Sequence, residues 1–549
     1  DLHVKRHSFP TRRSSDLALQ IGPSVADLAG NPMNQDGQGP NGQVGADEFV
    51  DEFDILVGVQ AGLYVAYIES GGPAGTPLDK LVVIFSQGVD DATLTVEDVT
   101  LAGVAGNIAP LAVTRLGPQR YELDFTGLTS AANYTLTVGP DVRTPLGVQM
   151  DQDHDAVPGE VEDAYRAELI GGTRTVAAAD DSLDDKSVVV AGGTLTIDGP
   201  HDLVDLLIQD GGTVTHSAAT TAAEYRLDLT VSGLLWIQEG SKIDVSARGY
   251  TDQYTVGNTT TGGATGGSGG SYGGLGCDAR GGTANWTYGD YRNPNEPGSG
   301  GGGDGSNGAG SGGGLARLDV GVAAIDGSIL ANGGQGIYVY YEHRGGGGSG
   351  GGIRLDADVL TGSGWISADG GGADSNGGGG GGGGRVAVYY GQADFDFAHV
   401  TAHAAAGGQG TGAVGTTYIK DTAGAGELRV DSHGTATALW TPLGQLSESS
   451  FVVDRLVLAG AGVVAAPARE FPILANQVSI LDGAVLTHRV STTTQEYSLR
   501  MQVSGELWVD AQSRIDVSAR GYVYDRTVGN TATGGATGSS GGTYGGYGL

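Results

Sequence analysis

Residues 208–216 read IQDGGTVTH, and residues 480–488 read ILDGAVLTH. The likeness continues without a gap to residues 276 and 548, at a constant offset of 272 residues, and 42 of the 69 aligned positions are identical. Within each copy, short apolar runs such as LTVSGLLWI and MQVSGELWV are separated by turns rich in glycine. A repeated unit of this length predicts an array, because a single repeat cannot bury its own apolar face.

A shorter repeat lies inside the glycine-rich part of the chain. SGGGLARLD begins at Ser311 and SGGGIRLD begins at Ser349, 38 residues later, and the segments GSILANGG and GWISADGG follow them. Each pass predicts one coil of a parallel β-helix, whose inward aliphatic side chains stack on the next coil. The glycine tracts at 345–352 and 377–384 are expected to form loops that bulge out between the strands.

This pattern resembles the pectin-lyase-like right-handed β-helix class and the glycine-rich β-helical stretches of large bacterial surface proteins. The resemblance covers residues 171–549. It implies a glycine-rich β-helical unit at 171–447 and a second, truncated copy at 448–549.

A different pattern occupies residues 58–170. Short alternating runs, such as YELDF and YTLTV, are separated by turn residues about every ten positions, which predicts an antiparallel β-sandwich. The stretches KLVVIFSQGVD, ANYTLTVGP and DLAGNPMNQDG resemble the bacterial Ig-like domains of surface-layer proteins. Residues 18–57 resemble the C-terminal remnant of a preceding copy. The predicted fold is therefore all-β, an Ig-like sandwich followed by a parallel β-helix with glycine-rich loops.

The two ends of the chain affect how it is divided. Residues 7–17 read HSFPTRRSSDL, which resembles one translated frame of a common sequencing adapter, so residues 1–17 are expected to be an artefact. The final residue, Leu549, lies inside the second copy, where the first copy continues to Cys277. The chain is accordingly expected to be a fragment of a longer protein.

The composition excludes several classes of partner. The formal net charge is −34, which disfavours nucleic acid and anionic membranes. The 102 glycines show no collagen period, and no apolar run reaches the length of a membrane span. The single cysteine, Cys277, leaves no internal disulfide and no cysteine-based metal site.

One acidic loop is the candidate metal site. Asp151, Asp153 and Asp155 alternate with other residues, and Glu162 follows seven residues later. This spacing is typical of an oxygen cage for Ca²⁺, which prefers carboxylate and carbonyl oxygens. The departure is Ala156, where the pattern has glycine. The alternative is a solvated acidic turn.

No catalytic residue is predicted. The charged pairs Asp244/Arg248 and Asp516/Arg520 occur in both copies, and Arg317/Asp319 returns one pass later as Arg354/Asp356. A catalytic pair is normally unique, so recurrence favours a structural ladder or a rim ion pair. His216 and His488 are equivalent and are interpreted as packing or surface residues.

Aromatic residues cluster near the glycine tracts, and flat rings on a rigid face can stack on sugars. Strand packing is the alternative for this set, which comprises Trp286, Tyr288, Tyr291, Tyr338, Tyr340, Tyr341 and Trp365.

The sequence thus favours a secreted or cell-surface repetitive protein with a structural or adhesive role. The expected partner is a polysaccharide or a neighbouring cell surface, with no nucleic acid and no membrane insertion. The alternative is a carbohydrate-active β-helix enzyme, a lyase or a hydrolase, which would need one unique cluster of acidic and basic residues.

Overall fold

The computed structural model describes two N-terminal strands and then residues 62–544, except for 73–74, 129–131, 304–307, 340–342, 375–376, 436 and 438. The two strands, β1 (Asp16–Ile21) and β2 (Phe49–Asp54), pair antiparallel. The fold is all-β with large parallel sheets, as predicted. Helical structure in these ranges is confined to single 3₁₀ turns, at Pro77–Asp79, Val96–Asp98, Val161–Asp163 and Phe397–His399. No helix in the described part of the chain is both long enough and apolar enough to cross a bilayer.

Residues 63–170 form two antiparallel sheets, which pack as a sandwich. Apolar side chains alternate along these strands, so Leu81, Val83 and Phe85 point into one core with Leu136 and Val138. One sheet has the order β3-β4-β8-β7 and the other β6-β5-β9-β10. The strands are β3 (Val65–Ser70), β4 (Lys80–Phe85), β5 (Val99–Gly103), β6 (Gly106–Ile108), β7 (Ala112–Gly117), β8 (Arg120–Asp124), β9 (Asn133–Val138) and β10 (Tyr165–Ile170).

The rest of the described chain coils through two sheets, a long sheet and a short sheet. The strands of the first part are β11 (Thr173–Val176), β12 (Ser187–Ala191), β13 (Thr194–Ile197), β14 (Gly199–Leu203), β15 (Leu206–Gln209), β16 (Thr213–Thr215), β17 (Leu227–Ile237), β18 (Lys242–Asp244), β19 (Leu315–Ile325), β20 (Ser328–Leu330), β21 (Tyr338–Val339), β22 (His343–Arg344), β23 (Gly352–Gly362), β24 (Trp365–Ser367), β25 (Arg385–Phe395) and β26 (Val400–Thr401). The later strands are β27 (Thr416–Asp421), β28 (Gly426–Asp431), β29 (Trp440–Leu443), β30 (Phe451–Ala459), β31 (Val464–Pro467), β32 (Ile473–Leu481), β33 (Val485–Leu486), β34 (Met501–Val509) and β35 (Arg514–Ile515).

The long sheet is one continuous surface that begins in the sandwich. Strand β10 pairs antiparallel with β9 and parallel with β12, so the sandwich sheet runs directly into the coils. From β12 the order is β15-β17-β19-β23-β25-β27-β28-β30-β32-β34. Every neighbouring pair along this stretch is parallel except β27 and β28, which form a hairpin. The sandwich and the coils therefore share backbone hydrogen bonds.

The short sheet lies opposite and contributes the second wall of the coils. Its order is β11-β13-β16-β18-β20-β24-β26, and β29-β31-β33-β35 form a separate group. Identical positions of successive coils stack in register, as in the buried column Val214, Ile243, Ile329, Ile366 and Val400. Such columns give each coil an apolar neighbour above and below, as in a β-solenoid.

The two sequence copies adopt matching backbone features at the offset of 272 residues. Strands β16, β17 and β18 correspond to β33, β34 and β35. Left-handed residues recur in step, with the pairs Asp210/Asp482, Ala247/Ala519, Gln253/Asp525 and Asn258/Asn530. The same turns are therefore built in both copies.

The glycine tracts were expected to bulge out as loops, and this expectation is wrong. Residues 345–352 and 378–384 are buried. Within 345–352, amides three residues apart donate to the same neighbouring tract. The amides of Gly346 and Ser349 donate to the carbonyls of Gly302 and Ser299. Those of Gly347 and Gly350 donate to Gly379 and Gly382, and those of Gly348 and Gly351 donate to Gly334 and Ala331. Three residues per turn without internal hydrogen bonds is the arrangement of polyproline II chains.

Close backbone packing explains why these tracts are glycine. A Cβ atom added at Gly269 would lie 2.0 Å from the carbonyl oxygen of Gly380, and one at Gly381 would lie 2.0 Å from that of Gly348. No side chain fits between chains at this distance, because carbon atoms meet oxygen atoms at more than 3 Å. We call this buried set of hydrogen-bonded tracts the glycine lattice. It gives the coils a second interior made of backbone rather than of side chains.

Candidate functional site

The acidic loop at residues 151–163 belongs to the connection between β9 and β10. An oxygen of Asp151, one of Asp153 and one of Asp155 all lie within 4.8 Å of one another, as the spacing predicted. Asp151 is only 5% exposed, while Asp153 and Asp155 are exposed. The loop therefore gathers three carboxylates at the surface, with one of them set into the protein.

The local backbone brings these residues together. His154 and Ala156 have φ values of 61° and 69°, so the chain turns sharply after Asp153 and again after Asp155. Asp153 Oδ1 accepts a hydrogen bond from the Asp155 amide at 3.1 Å, and Asp155 Oδ1 accepts from the Val157 amide at 2.7 Å. Ala156, where a glycine was expected, adopts the left-handed conformation nevertheless.

Glu162 does not join the three aspartates; it is exposed and lies in the 3₁₀ turn Val161–Asp163. Its neighbour Asp163 is buried and accepts three backbone hydrogen bonds, from Gln152 at 2.8 Å, Gly159 at 2.8 Å and Glu160 at 2.9 Å. Asp163 thus closes the loop. The buried role of Asp163 could have been predicted from its position three residues after Glu160, which is the spacing of a capping box.

The charged pairs predicted from spacing are only partly formed. Asp244 contacts Lys242 at 2.8 Å rather than Arg248, and Asp516 contacts Arg514 at 3.3 Å rather than Arg520. Side chains two residues apart share one face of a strand, whereas a spacing of four suits a helix. The same local pair is therefore present in both copies.

The second predicted pair does form on β23. Arg354 binds Asp356 through two hydrogen bonds, of 2.6 and 3.0 Å. In the neighbouring strand Arg317 contacts Asn293 at 2.9 Å, and Arg354 also reaches Asn293 at 2.7 Å. Arg317 and Arg354 are register partners, so they belong to a ladder along the rim.

His216 is fully buried and acts as a connector between coils. Its Nδ1 contacts the Ser217 carbonyl at 2.7 Å, and its Nε2 accepts a hydrogen bond from the Leu315 amide at 3.3 Å. Both contacts suit the neutral ring, and burial lowers the pKa of His216 to about 4. His488 makes the same Nδ1 contact in the second copy, with the Arg489 carbonyl at 2.7 Å.

A pair of carboxylates that the sequence interpretation missed lies beside a cleft of about 380 Å³. The Tyr250 hydroxyl donates to Glu224 at 3.4 Å, and Glu296 lies near both groups. Burial raises the pKa of Glu296, and the neighbouring Glu224 carboxylate raises it further. Tyr522 and Glu496 repeat the tyrosine contact at 3.5 Å in the second copy. Glu224 and Glu296 are 72 residues apart in sequence, so no local spacing of residues predicts the pair.

Most of the predicted aromatic set is used for packing. Trp286 meets Trp440 edge to face at 5.7 Å, and the guanidinium of Arg489 lies over both rings. Tyr288 donates a hydrogen bond to the Pro297 carbonyl, and Tyr291 packs in the core beside Tyr418. The side chain of Tyr338, and Tyr340 and Tyr341 altogether, lie outside the described residues.

Trp365 is the exception, because it is 49% exposed and stacks on the ring of His399, with ring centroids 4.2 Å apart. His399 ends the 3₁₀ turn Phe397–His399, and Phe397 lines a second cleft of about 500 Å³. Tyr390 stacks on Phe397 in that cleft, which is further lined by Phe395, Asp396, Asp421, Glu427, Arg429 and Arg455. We call the surface formed by Trp365, His399, Tyr390 and Phe397 the aromatic patch.

Comparisons of the chain with protein-family profiles, with curated proteins and with solved structures find no match.

Proposed function

We propose that the chain is a structural and adhesive element of a large extracellular or cell-surface protein, in which an Ig-like sandwich precedes a β-solenoid. The observation that carries the proposal is the unbroken long sheet from the sandwich to β34, with apolar columns and the glycine lattice beneath it. Such continuity suits a stiff scaffold, because every coil is held by its neighbours. The charge of −34 favours solubility and repels anionic surfaces.

The charged residues support the same proposal. The Lys242–Asp244 contact returns as Arg514–Asp516, and the arginine ladder repeats from β19 to β23. Contacts that recur from coil to coil stabilise strand faces and do not create one distinctive reaction site. A scaffold requires the same stabilising contacts in successive coils.

The aromatic patch is the part of this scaffold that we propose contacts a polysaccharide. Trp365 offers a flat, half-exposed ring, and Tyr390 and Phe397 continue the apolar surface into the cleft. Aromatic rings bind the apolar faces of sugars, while carboxylates such as Asp421 and Glu427 can accept hydrogen bonds from hydroxyl groups. Arg429 and Arg455 supply donors at the same cleft.

A glycan array with the purified chain tests the adhesive proposal. The wild-type chain should bind a subset of polysaccharides, and a Trp365→Ala/Phe397→Ala variant should lose at least about tenfold in affinity, which corresponds to about 1.4 kcal/mol of lost stacking. Trp508→Ala is the matched control, since Trp508 is also an exposed tryptophan but lies on β34, away from the patch. Equal losses in both variants, or no binding by the wild type, would rule out the patch.

The second candidate function is carbohydrate hydrolysis or elimination, and one observation favours it. Glu224, Tyr250 and Glu296 place two carboxyl groups around one hydroxyl beside a cleft, and the pKa of Glu296 is raised. A carboxyl group with a raised pKa beside a second carboxyl group is typical of glycoside hydrolysis.

Incubation of the chain with acidic and neutral polysaccharides in the presence of Ca²⁺ distinguishes an enzyme from a scaffold. The scaffold proposal predicts no new reducing or unsaturated ends. Turnover that is lost in Glu224→Gln or Glu296→Gln, but retained in Glu496→Gln, would instead establish the enzyme.

A further inference from the structure

The Asp151 carboxylate lacks a protein partner for one of its oxygens. Oδ1 of Asp151 is shielded from solvent and has no hydrogen-bond partner among the described residues. Burying a charged oxygen without compensation is costly, and native structures normally supply a donor or a cation. The oxygen belongs to the residue that anchors the cluster of three aspartates. This orphaned atom is independent of the acidic sequence pattern and indicates a missing positive charge.

The surroundings do not supply that charge. Among the described residues, no lysine, arginine or histidine forms an ion pair with Asp151, Asp153 or Asp155. The nearby Glu160 has a pKa raised by burial and then by the negative charges of Asp155, Glu162, Asp163 and Asp153. The loop is therefore a concentrated negative region.

The distances fit one hard divalent cation. Oxygens on opposite sides of a Ca²⁺ ion lie about 4.6–5.2 Å apart, since each ligand lies at about 2.3–2.6 Å. The three carboxylate oxygens lie within 4.8 Å of one another, so all three can belong to one coordination sphere. Mg²⁺ would require about 4.0–4.2 Å across the sphere and a rigid octahedron. Three carboxylates on one irregular loop suit Ca²⁺ better, because Ca²⁺ accepts varied coordination geometry.

The same loop holds the segment by which the chain enters the sandwich. The Asp151 amide donates to the Leu63 carbonyl at 2.8 Å, and the Leu63 amide donates to the Gln149 carbonyl at 3.3 Å. Gln152 clamps Val65 from both sides, accepting from its amide at 2.8 Å and donating to its carbonyl at 3.2 Å. At Gly62 an added Cβ would lie 2.0 Å from the Asp151 Cβ.

We propose that Asp151, Asp153 and Asp155 bind Ca²⁺, and that the bound ion fixes residues 62–65 against the acidic loop. The ion would neutralise the buried Asp151 oxygen and hold the loop in the conformation that Gln152 and Asp163 require. Ca²⁺ would thereby stiffen the joint at which the preceding part of the chain meets the sandwich. The inference stands apart from the adhesive role, because it concerns the joint and not the aromatic patch.

The experiment uses the full chain and calcium chloride alone. Isothermal titration is combined with hydrogen exchange in Ca²⁺ and in chelator, for the wild type and for Asp153→Asn/Asp155→Asn. The control is Asp181→Asn/Asp185→Asn, which removes two exposed aspartates of another acidic turn. The wild type and the control should bind one more Ca²⁺ than the loop variant. Ca²⁺ should slow exchange at least tenfold at residues 63–65 and 151–163 in these two proteins only.

The folded state of each variant is checked by the exchange of β12, which lies outside the sandwich loop. Unchanged protection there, with Ca²⁺ protection lost at 63–65, supports the site. Equal Ca²⁺ stoichiometry in the loop variant and the wild type, or identical protection with Mg²⁺, would overturn it. Asp151→Asn provides a second variant, for which the same loss is expected because the orphaned oxygen becomes part of a neutral amide.

Discussion

At the residue scale, His216 shows how burial converts a side chain into a pH-sensitive contact. Folding keeps the ring neutral, with a pKa of about 4, whereas the unfolded chain takes up the proton near its ordinary value of about 6.5. A lowered pKa means that the stabilisation is complete above pH 6.5 and is lost as the pH falls toward 4. The difference corresponds to about 3 kcal/mol at most.

The denaturation midpoint of the first copy is therefore expected to decrease as the pH is lowered from 7 to 4.5. A His216→Gln variant should start from a lower midpoint and lose less of it over the same range. His488→Gln serves as the control, since that ring makes the same Nδ1 contact. An identical pH dependence in the wild type and His216→Gln would show that the ring is not the titrating group.

Residue identity in the acidic loop was predictable only in part. Oxygens of Asp151, Asp153 and Asp155 converge, and the left-handed residues His154 and Ala156 form the turns that follow Asp153 and Asp155. The linear spacing of twelve positions predicts Glu162 as the last metal ligand. Glu162 lies in a 3₁₀ turn, however, and this turn directs Asp163 inward instead. Local turn chemistry outweighed the motif there.

At the element scale, one buried side-chain amide adds to the contact between strand β3 of the sandwich and the coils. Gln209 on β15 donates to the Ile68 carbonyl at 2.8 Å and accepts from the Ser70 amide at 2.6 Å. Its counterpart in the second copy is Leu481, so the polar side chain occurs in the copy that carries the sandwich.

A Gln209→Leu variant is expected to keep the coils and to weaken strand β3. Two backbone groups of β3 would lose their partners at a cost of about 1–3 kcal/mol each when buried. Hydrogen exchange should accelerate at residues 65–70 and stay unchanged at β19. Uniform acceleration over both regions, or none, would contradict a specific docking role for Gln209.

The glycine lattice offers a matched pair of substitutions. A Cβ at Gly249 would lie 2.2 Å from the carbonyl oxygen of Gly313, whereas the equivalent Gly521 has nothing within 4 Å. Gly249→Ala should therefore destabilise the first copy by about 3 kcal/mol, and Gly521→Ala should change stability by less than about 0.5 kcal/mol. Denaturant midpoints measure both. Equal effects would show that conformational freedom, rather than close packing, selects glycine at this turn.

The sequence pattern was informative for strands and not for the lattice. Alternating apolar residues identify the sandwich strands and the stacked columns, because side chains carry that information. Charged pairs were misassigned at Asp244 because strand neighbours are two residues apart rather than four. A glycine tract carries no side-chain pattern, so neither its burial nor its backbone partners could be predicted.

At the scale of the whole molecule, the sandwich, the apolar columns and the glycine lattice are proposed to form one scaffold. The sandwich and the coils are connected by shared strand pairing at β10, and the coils by the long sheet. The proposed structural role requires that the glycine tracts be a packed interior. Exposed tracts would leave the coils separated by flexible loops, and the scaffold proposal would lose its support.

The burial of the glycine tracts, on which the rigid scaffold depends, is measured by their hydrogen exchange. Amides of residues 346–351 and 379–384 are expected to exchange as slowly as those of β23 and β25, since each donates to a backbone carbonyl. Exposed turn residues such as Gly240 and Gly262 should exchange within seconds and provide the internal reference. Exchange of the tracts at the rate of these turns would contradict a buried lattice and the rigid scaffold built on it.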